Sequence, residues 1–198
     1  RSHIHAATVS TGQSLFIVGP SGIGKTSFAQ NLLGFNFDAD VSLDEIPIVS
    51  DNIDSYRKAI SWIPQLPQLA PGTLREQFHL VLPTANDAEI ITALSNVGLP
   101  VSELSRGLDT YLGGFDEKSA ELSGGQIRKI AVARALIRKP RFIIADEPTA
   151  DLDSNSARSI MSALRAATKD GSALICITHD TAQLNESDRI IAIEKVAL

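Results

Sequence analysis

The sequence predicts an α/β fold: a parallel sheet covered by helices, carrying a phosphate-binding loop and interrupted by a helical insert. Three observations predict it. Short apolar runs alternate with helical patterns along the chain. A glycine-rich loop lies between the first such run and the first such helix. A later apolar run ends in two adjacent carboxylates, at the strand end where open α/β sheets gather ligands.

Taken in order, residues 14–18 are a compact apolar run closed by Gly19, and residues 25–33 carry a helical pattern. Residues 59–63 read as a further strand, followed by a proline-rich bend over 64–72. From 73 to about 139 the reading is mostly helical, with breaks near Pro83, Pro100 and the Gly113–Gly114 pair. Residues 141–145 and 172–178 then read as buried strands, and 190–193 as a last short one. Between the first two of these, Ala157, Ile160, Met161 and Leu164 recur at helical spacing, which makes Met161 a core residue. The expected organisation is one domain over 1–198, with an α/β core of 12–65 and 140–198 and a helical insert of 66–139.

Length and composition fit this plan. A chain of 198 residues can bury a substantial core, and 43% hydrophobic with 21% charged residues gives no disorder signal. The formal net charge of -5 disfavours a nucleic-acid partner, because phosphate-backbone binding leaves a basic excess. The single Cys176 excludes an intrachain disulfide, fits a reducing compartment and reads as a small apolar strand residue. No apolar run reaches the roughly 18 residues of a membrane span.

Gly19, Pro20, Ser21, Gly22, Ile23, Gly24, Lys25 and Thr26 fit G-x-x-x-x-G-K-[ST], after a strand and before a helix, as that motif requires. Glycines let backbone N–H groups surround the phosphates, and the helix that follows, with Ser27 in its first turn, presents its positive end. Lys25 is expected to reach the β- and γ-phosphates and Thr26 to ligate Mg²⁺. At the later strand end, Asp146 is expected to hold Mg²⁺. Alternation along a strand would turn Glu147 away from that task and toward the attacking water. An apolar strand ending in Asp-Glu is by itself also compatible with a solvated strand end.

Leu122-Ser123-Gly124-Gly125-Gln126 heads a helix on which Ile127, Ile130, Ala131 and Ala135 share a face. A serine and two glycines at a helix N-terminus make an anion-binding end, yet the first loop already serves the phosphates here. Either this end serves a nucleotide held by another molecule, or it is a serine-capped surface helix.

At this point the chain resembles the ATP-binding cassette (ABC) family, through the phosphate loop, Gln65 after a strand, Leu-Ser-Gly-Gly-Gln, residues 141–147 and His179. The motifs stand in the family's order from about residue 12 to 193, and Leu-Ser-Gly-Gly-Gln is its signature. Trp62-Ile-Pro-Gln65, Gly72-Thr-Leu-Arg-Glu76 and Gly107-Leu-Asp-Thr110 look like the exporter branch. The resemblance implies a P-loop NTPase core of the ABC type that binds and hydrolyses ATP with Mg²⁺. It also implies a second ABC ATPase domain and a transmembrane permease domain as partners, and a place on the cytoplasmic face of a membrane. It makes Glu147, His179 and Gln65 catalytic, with Gln65 also reaching Mg²⁺ and His179 the γ-phosphate. Ser123, Gly124, Gly125 and Gln126 would contact the partner's ATP, and Asp153 would lie in the loop that crosses the dimer interface. From residues alone, His179 reads rather as a satisfied histidine at a strand end.

The chain also departs from the family. Members carry an adenine-stacking aromatic some two dozen residues before the phosphate loop. Only 18 residues stand there, among them His3 and His5, which implies that the family's N-terminal strands are truncated. Ala150 stands where many members have serine, and residues 113–121, with Ser119 in place of glycine, are longer than the exporter pattern. Two rivals are a soluble non-transport ABC ATPase acting on a macromolecule, and a regulatory ATP-binding module, against which Glu147 weighs. No Asn-Lys-x-Asp guanine motif is present, which disfavours a GTPase.

Overall fold

A computed structural model describes residues 7–20, 22–35, 40–112, 122–186 and 188–193. The readings placed on His3, His5, Ser21, the Gly113–Gly114 pair and Ser119 lie outside the described residues. The chain divides into two compact units: Arg1–Trp62, Pro140–Glu147 and Thr168–Leu198 make the first, Ile63–Lys139 and Pro148–Ala167 the second.

In the first unit, β1 (Ser14–Val18) leads through the glycine-rich loop into α1 (Lys25–Leu32). A two-strand hairpin, β2 (Ser42–Leu43) and β3 (Ile46–Pro47), follows, then α2 (Ile53–Ala59) and β4 (Ile60–Ile63). The expected strand start at Ala59 is a helix end, because α2 runs directly into β4. In the second unit, β5 (Gly72–Thr73), α3 (Leu74–His79), α4 (Asp87–Asn96), β6 (Tyr111–Leu112) and α5 (Gly124–Leu136) succeed one another. The chain closes with β7 (Phe142–Asp146), α6 (Ser154–Lys169), β8 (Ala173–Thr178) and β9 (Arg189–Ala192).

The main sheet has the order β4-β7-β8-β1-β9, with parallel pairings of β7 to β8, β8 to β1 and β1 to β9. All six residues of β8 are buried, as expected of a parallel strand covered on both faces. Leu15, Ile17, Ala29, Leu33, Tyr56, Ile144, Ile175 and Ile177 share one core cluster. Each such large apolar side chain contributes about 1.5–3 kcal/mol by leaving water. The short α2 is pinned to α1 by polar contacts as well. The Tyr56 hydroxyl donates to the Leu32 carbonyl at 2.5 Å, and burial pushes its pKa up to about 12. Arg57 donates to the carbonyls of Leu33 and Gly34 at 3.3 and 3.1 Å.

The second unit breaks its helices near Pro83 and Pro100, as its pattern predicts, and the left-handed Gly98 and Gly107 (φ 70 and 56) interrupt it as well. Two short 3-10 turns and the antiparallel β5–β6 pairing fill the breaks. Helices this short are marginal by themselves, and α3, α4 and α5 all begin in capping boxes, Thr73/Glu76, Asn86/Glu89 and Ser123/Gln126. Leu74, Phe78, Ile90, Leu94 and Ile130 are fully buried. On α6, Ala157, Ile160, Met161 and Leu164 are buried, as their spacing predicts. Among the described residues no helix is long and apolar enough to cross a membrane.

Candidate functional site

Three neighbouring strands deliver the first unit's chemistry to one edge of the sheet. Val18 pairs with Thr178 and Asp146 with Ile177, so β1, β7 and β8 end together. The phosphate loop, Glu147 and His179 leave from those ends, on the side where parallel sheets bind ligands.

The loop's glycines are required by backbone geometry. Gly24, the residue before α1, has φ 96, where a Cβ is strained, and a Cβ on Gly19 would come within 2.9 Å of the Ile193 carbonyl oxygen. Lys25 is buried and donates to the carbonyls of Gly19 and Pro20 at 2.5 and 3.2 Å. Its Nζ also lies 3.4 Å from Glu147 Oε1. The neighbouring Thr26 donates from Oγ1 to Asp146 Oδ2 at 2.9 Å.

Glu147 corrects one expectation. Strand alternation does not govern it, because β7 stops at Asp146 and Glu147 takes a left-handed conformation, φ 48, with its N–H on the Ile177 carbonyl at 2.8 Å. That conformation costs a non-glycine residue roughly 1–2 kcal/mol. The carboxylate is thereby brought to Lys25 and His179 alike: His179 Nδ1 is 2.9 Å from Oε1, and the His179 N–H donates to Oε2 at 3.3 Å. His179 is about half exposed, whereas Glu147 is buried.

Asp146 is 1% exposed, and its Oδ1 has no hydrogen-bond partner among the described residues. Burial holds its pKa above the ordinary carboxylate value; the nearby Glu147 adds to this, while the Thr26 hydrogen bond and Lys25 oppose it. An orphaned, buried carboxylate oxygen beside a threonine hydroxyl suits a hard cation such as Mg²⁺, which takes few protein ligands and completes its shell with water and phosphate. No group of three or more His, Cys, Asp or Glu forms a metal cluster among the described residues.

Gln65, Ser123 to Gln126 and Asp153 belong to the second unit. Gln65 has an exposed side chain, and its carbonyl accepts from Arg128 Nη2 at 2.9 Å. Ser123 Oγ accepts from the Gln126 N–H at 3.2 Å, while Gln126 Oε1 accepts from the Ser123 N–H at 2.9 Å. A Cβ on Gly124 would meet nothing within 4 Å, so the helix entrance is open on that side. Asp153 caps α6 by accepting from the N–H groups of Asn155 and Ser156 at 2.9 and 3.0 Å, and those hydrogen bonds, Ser156 foremost, lower its pKa. The sequence reading missed Arg128, a buried cation next to the half-buried Ile127 that had been assigned to the apolar face. Its signal was present only as a basic residue within a helix that is buried on most sides.

A phosphate loop joined to a carboxylate pair at the carboxyl edge of a parallel sheet defines a P-loop nucleotide-binding domain. The protein-family model for "ABC transporter" matches residues 4–150. The glutathione/L-cysteine transport system ATP-binding/permease protein CydD of Escherichia coli (strain K12) is 37% identical over 188 residues, covering 92% of this chain and 31% of that protein. The ATP-dependent permease MDL1 of Candida albicans is 38% identical over 189 residues, covering 92% of this chain and 27% of that protein. A solved structure of a bacterial Atm1-family ABC exporter with ATP bound superposes with a TM-score of 0.82 at 29% identity, covering 94% of this chain and 32% of that one. The chain belongs to the ABC transporter family, as an ATP-binding ATPase domain. It spans about a third or less of the length of these relatives.

Proposed function

We propose that this ATPase domain works as one half of a head-to-tail dimer, on the cytoplasmic face of a membrane, and drives export through a permease domain. The dimer partner is a second ABC ATPase domain. Each ATP would lie between the phosphate loop of one domain and the Ser123 to Gln126 end of the other, with Asp153 near the shared interface. Residues 12–65 and 140–198 serve as the nucleotide-binding core, and 66–139 as the helical insert that carries the signature.

Hydrolysis is in-line attack of water on the γ-phosphate. The phosphate loop, from Gly19 to Ser27, surrounds the phosphates with backbone N–H groups, and Lys25 exchanges its loop carbonyls for phosphate oxygens. Thr26 and Asp146 would hold Mg²⁺, with Gln65 added as a ligand by the family resemblance alone; the ion would supply positive charge to neutralise the phosphate oxygens. Glu147 polarises the water and His179 hydrogen-bonds the γ-phosphate, each orienting the other through their 2.9 Å contact. That contact carries the reading. A buried carboxylate shared between the loop lysine and a strand-end histidine is poised to exchange partners once phosphate is present.

The test is a pair of variants. Glu147→Gln is expected to bind ATP nearly as the parent does while losing about two to four orders of magnitude in turnover, the range for a positioned acid or base. Lys25→Ala should instead weaken ATP binding itself. Parental turnover in Glu147→Gln would remove that residue from its role.

A further inference from the structure

The segment from Pro64 to Pro71 has no regular hydrogen-bonding ladder, and Pro64, Pro67 and Pro71 deprive it of three backbone donors. It is held by side chains. At its start, the buried Arg128 of α5 donates from Nη2 to the Gln65 carbonyl at 2.9 Å. Toward its end, the fully buried Gln77 of α3 closes a two-way clasp on Ala70, accepting from the N–H at 3.2 Å and donating to the carbonyl at 2.8 Å. Arg134, also on α5, donates to the same Gln77 Oε1 at 3.3 Å. Two arginines of one helix thus control both ends of the segment, one directly and one through Gln77.

The same helix begins at Ser123, and Arg128 stands only five residues further on. A helix transmits displacement along its axis as a rigid element, and a buried hydrogen bond to a charged donor is worth more than a neutral one. We infer that Arg128 is a positioning residue that fastens the Gln65 backbone to the signature helix. A shift of the Ser123 to Gln126 end therefore carries Gln65 with it, and Gln65 in turn sets the position of that end. Arg134 and Gln77 keep the remainder of the segment in register. This inference rests on the reading of Gln65 as a site residue.

Hydrogen exchange on the 198-residue chain tests the clasp directly. In Arg128→Ala, the Ala70 amide, which donates to Gln77 Oε1 at 3.2 Å, should exchange about tenfold faster or more, the factor expected for loss of one charge-assisted hydrogen bond. Arg128→Lys, which keeps a cationic donor, should restore part of the protection and guards against a folding defect in the alanine variant. Unchanged exchange in both variants overturns the clasp. A double-mutant cycle on ATP turnover tests its purpose. If Arg128 acts through Gln65, Arg128→Ala lowers kcat more than it raises KM, and adding it to Gln65→Ala costs little more. Strictly additive losses make Arg128 a structural residue only and overturn the positioning role. If Gln65→Ala alone turns over at the parental rate, the Gln65 reading fails, whereas accelerated exchange at Ala70 in Arg128→Ala would still establish the clasp.

Discussion

Replacing Asp146 by asparagine is expected to make the chain more stable and less active at once. The carboxylate is 1% exposed, one oxygen accepts from Thr26, and the other has no partner among the described residues. Burial raises its pKa, so the folded chain holds this proton more tightly than the unfolded chain does. The corresponding stability is fully present below the unfolded value and is lost as pH rises through the folded value. At neutral pH the ionised group is therefore a liability. Asparagine keeps an acceptor for Thr26 and exchanges a charged orphan for a neutral one, a gain on the order of 1–2 kcal/mol. For a chain of this size that is roughly 2–8 °C in Tm. Thermal denaturation without nucleotide should show the asparagine variant melting higher at about pH 7, with the advantage shrinking on acidification, as the parent carboxyl takes up its proton. With ATP and Mg²⁺ added, the order should reverse, because a ligand held by the folded parent stabilises it by mass action and the variant has lost that hold. ATP turnover in the variant should collapse. A variant that melts lower than the parent at neutral pH, or an advantage indifferent to pH, refutes the desolvation argument.

Two further predictions concern the frame of the site. Asp153→Ala should lower Tm at neutral pH by uncapping α6. Because its pKa is lowered, that stability is present above the unfolded value and lost as pH falls through the folded value, so parent and variant should converge in acid melts. Gly24→Ala, forced into φ 96, should cost roughly 1–2 kcal/mol of stability. It should also weaken ATP binding in a direct titration, and an unchanged melt would show that the loop can relax without glycine.

The parts of this molecule that were legible in its sequence are those whose signal is local. Residues 14–18 and 172–178 announce buried strands because both faces of β1 and β8 are covered, which leaves an unbroken apolar run. The phosphate loop and the Asp146–Glu147 pair are likewise set by neighbours in sequence. The β2–β3 hairpin was missed because its strands have two residues each and its turn uses Asp44 and Glu45 at φ 51 and 66, without the usual glycine. The meeting of Lys25, Glu147 and His179 depends on the register of β1, β8 and β7, which spans most of the chain. The aim of Glu147 depends on one backbone torsion that no residue pattern reveals. Arg128 was passed over for a similar reason, since its partner is a backbone carbonyl 63 residues away.

The central claim, that the working site is shared between two domains, is tested most directly by the oligomeric state of Glu147→Gln with ATP. This variant should retain nucleotide without consuming it, so the phosphate loop of one chain and the Ser123 end of another stay bridged. Size-exclusion chromatography with light scattering, at saturating ATP and Mg²⁺, should then show a dimer that reverts to monomer when nucleotide is removed. Adding Ser123→Arg to the same chain should abolish the dimer while leaving the phosphate loop able to bind ATP. A Glu147→Gln chain that binds ATP yet remains monomeric at saturation would contradict the shared site.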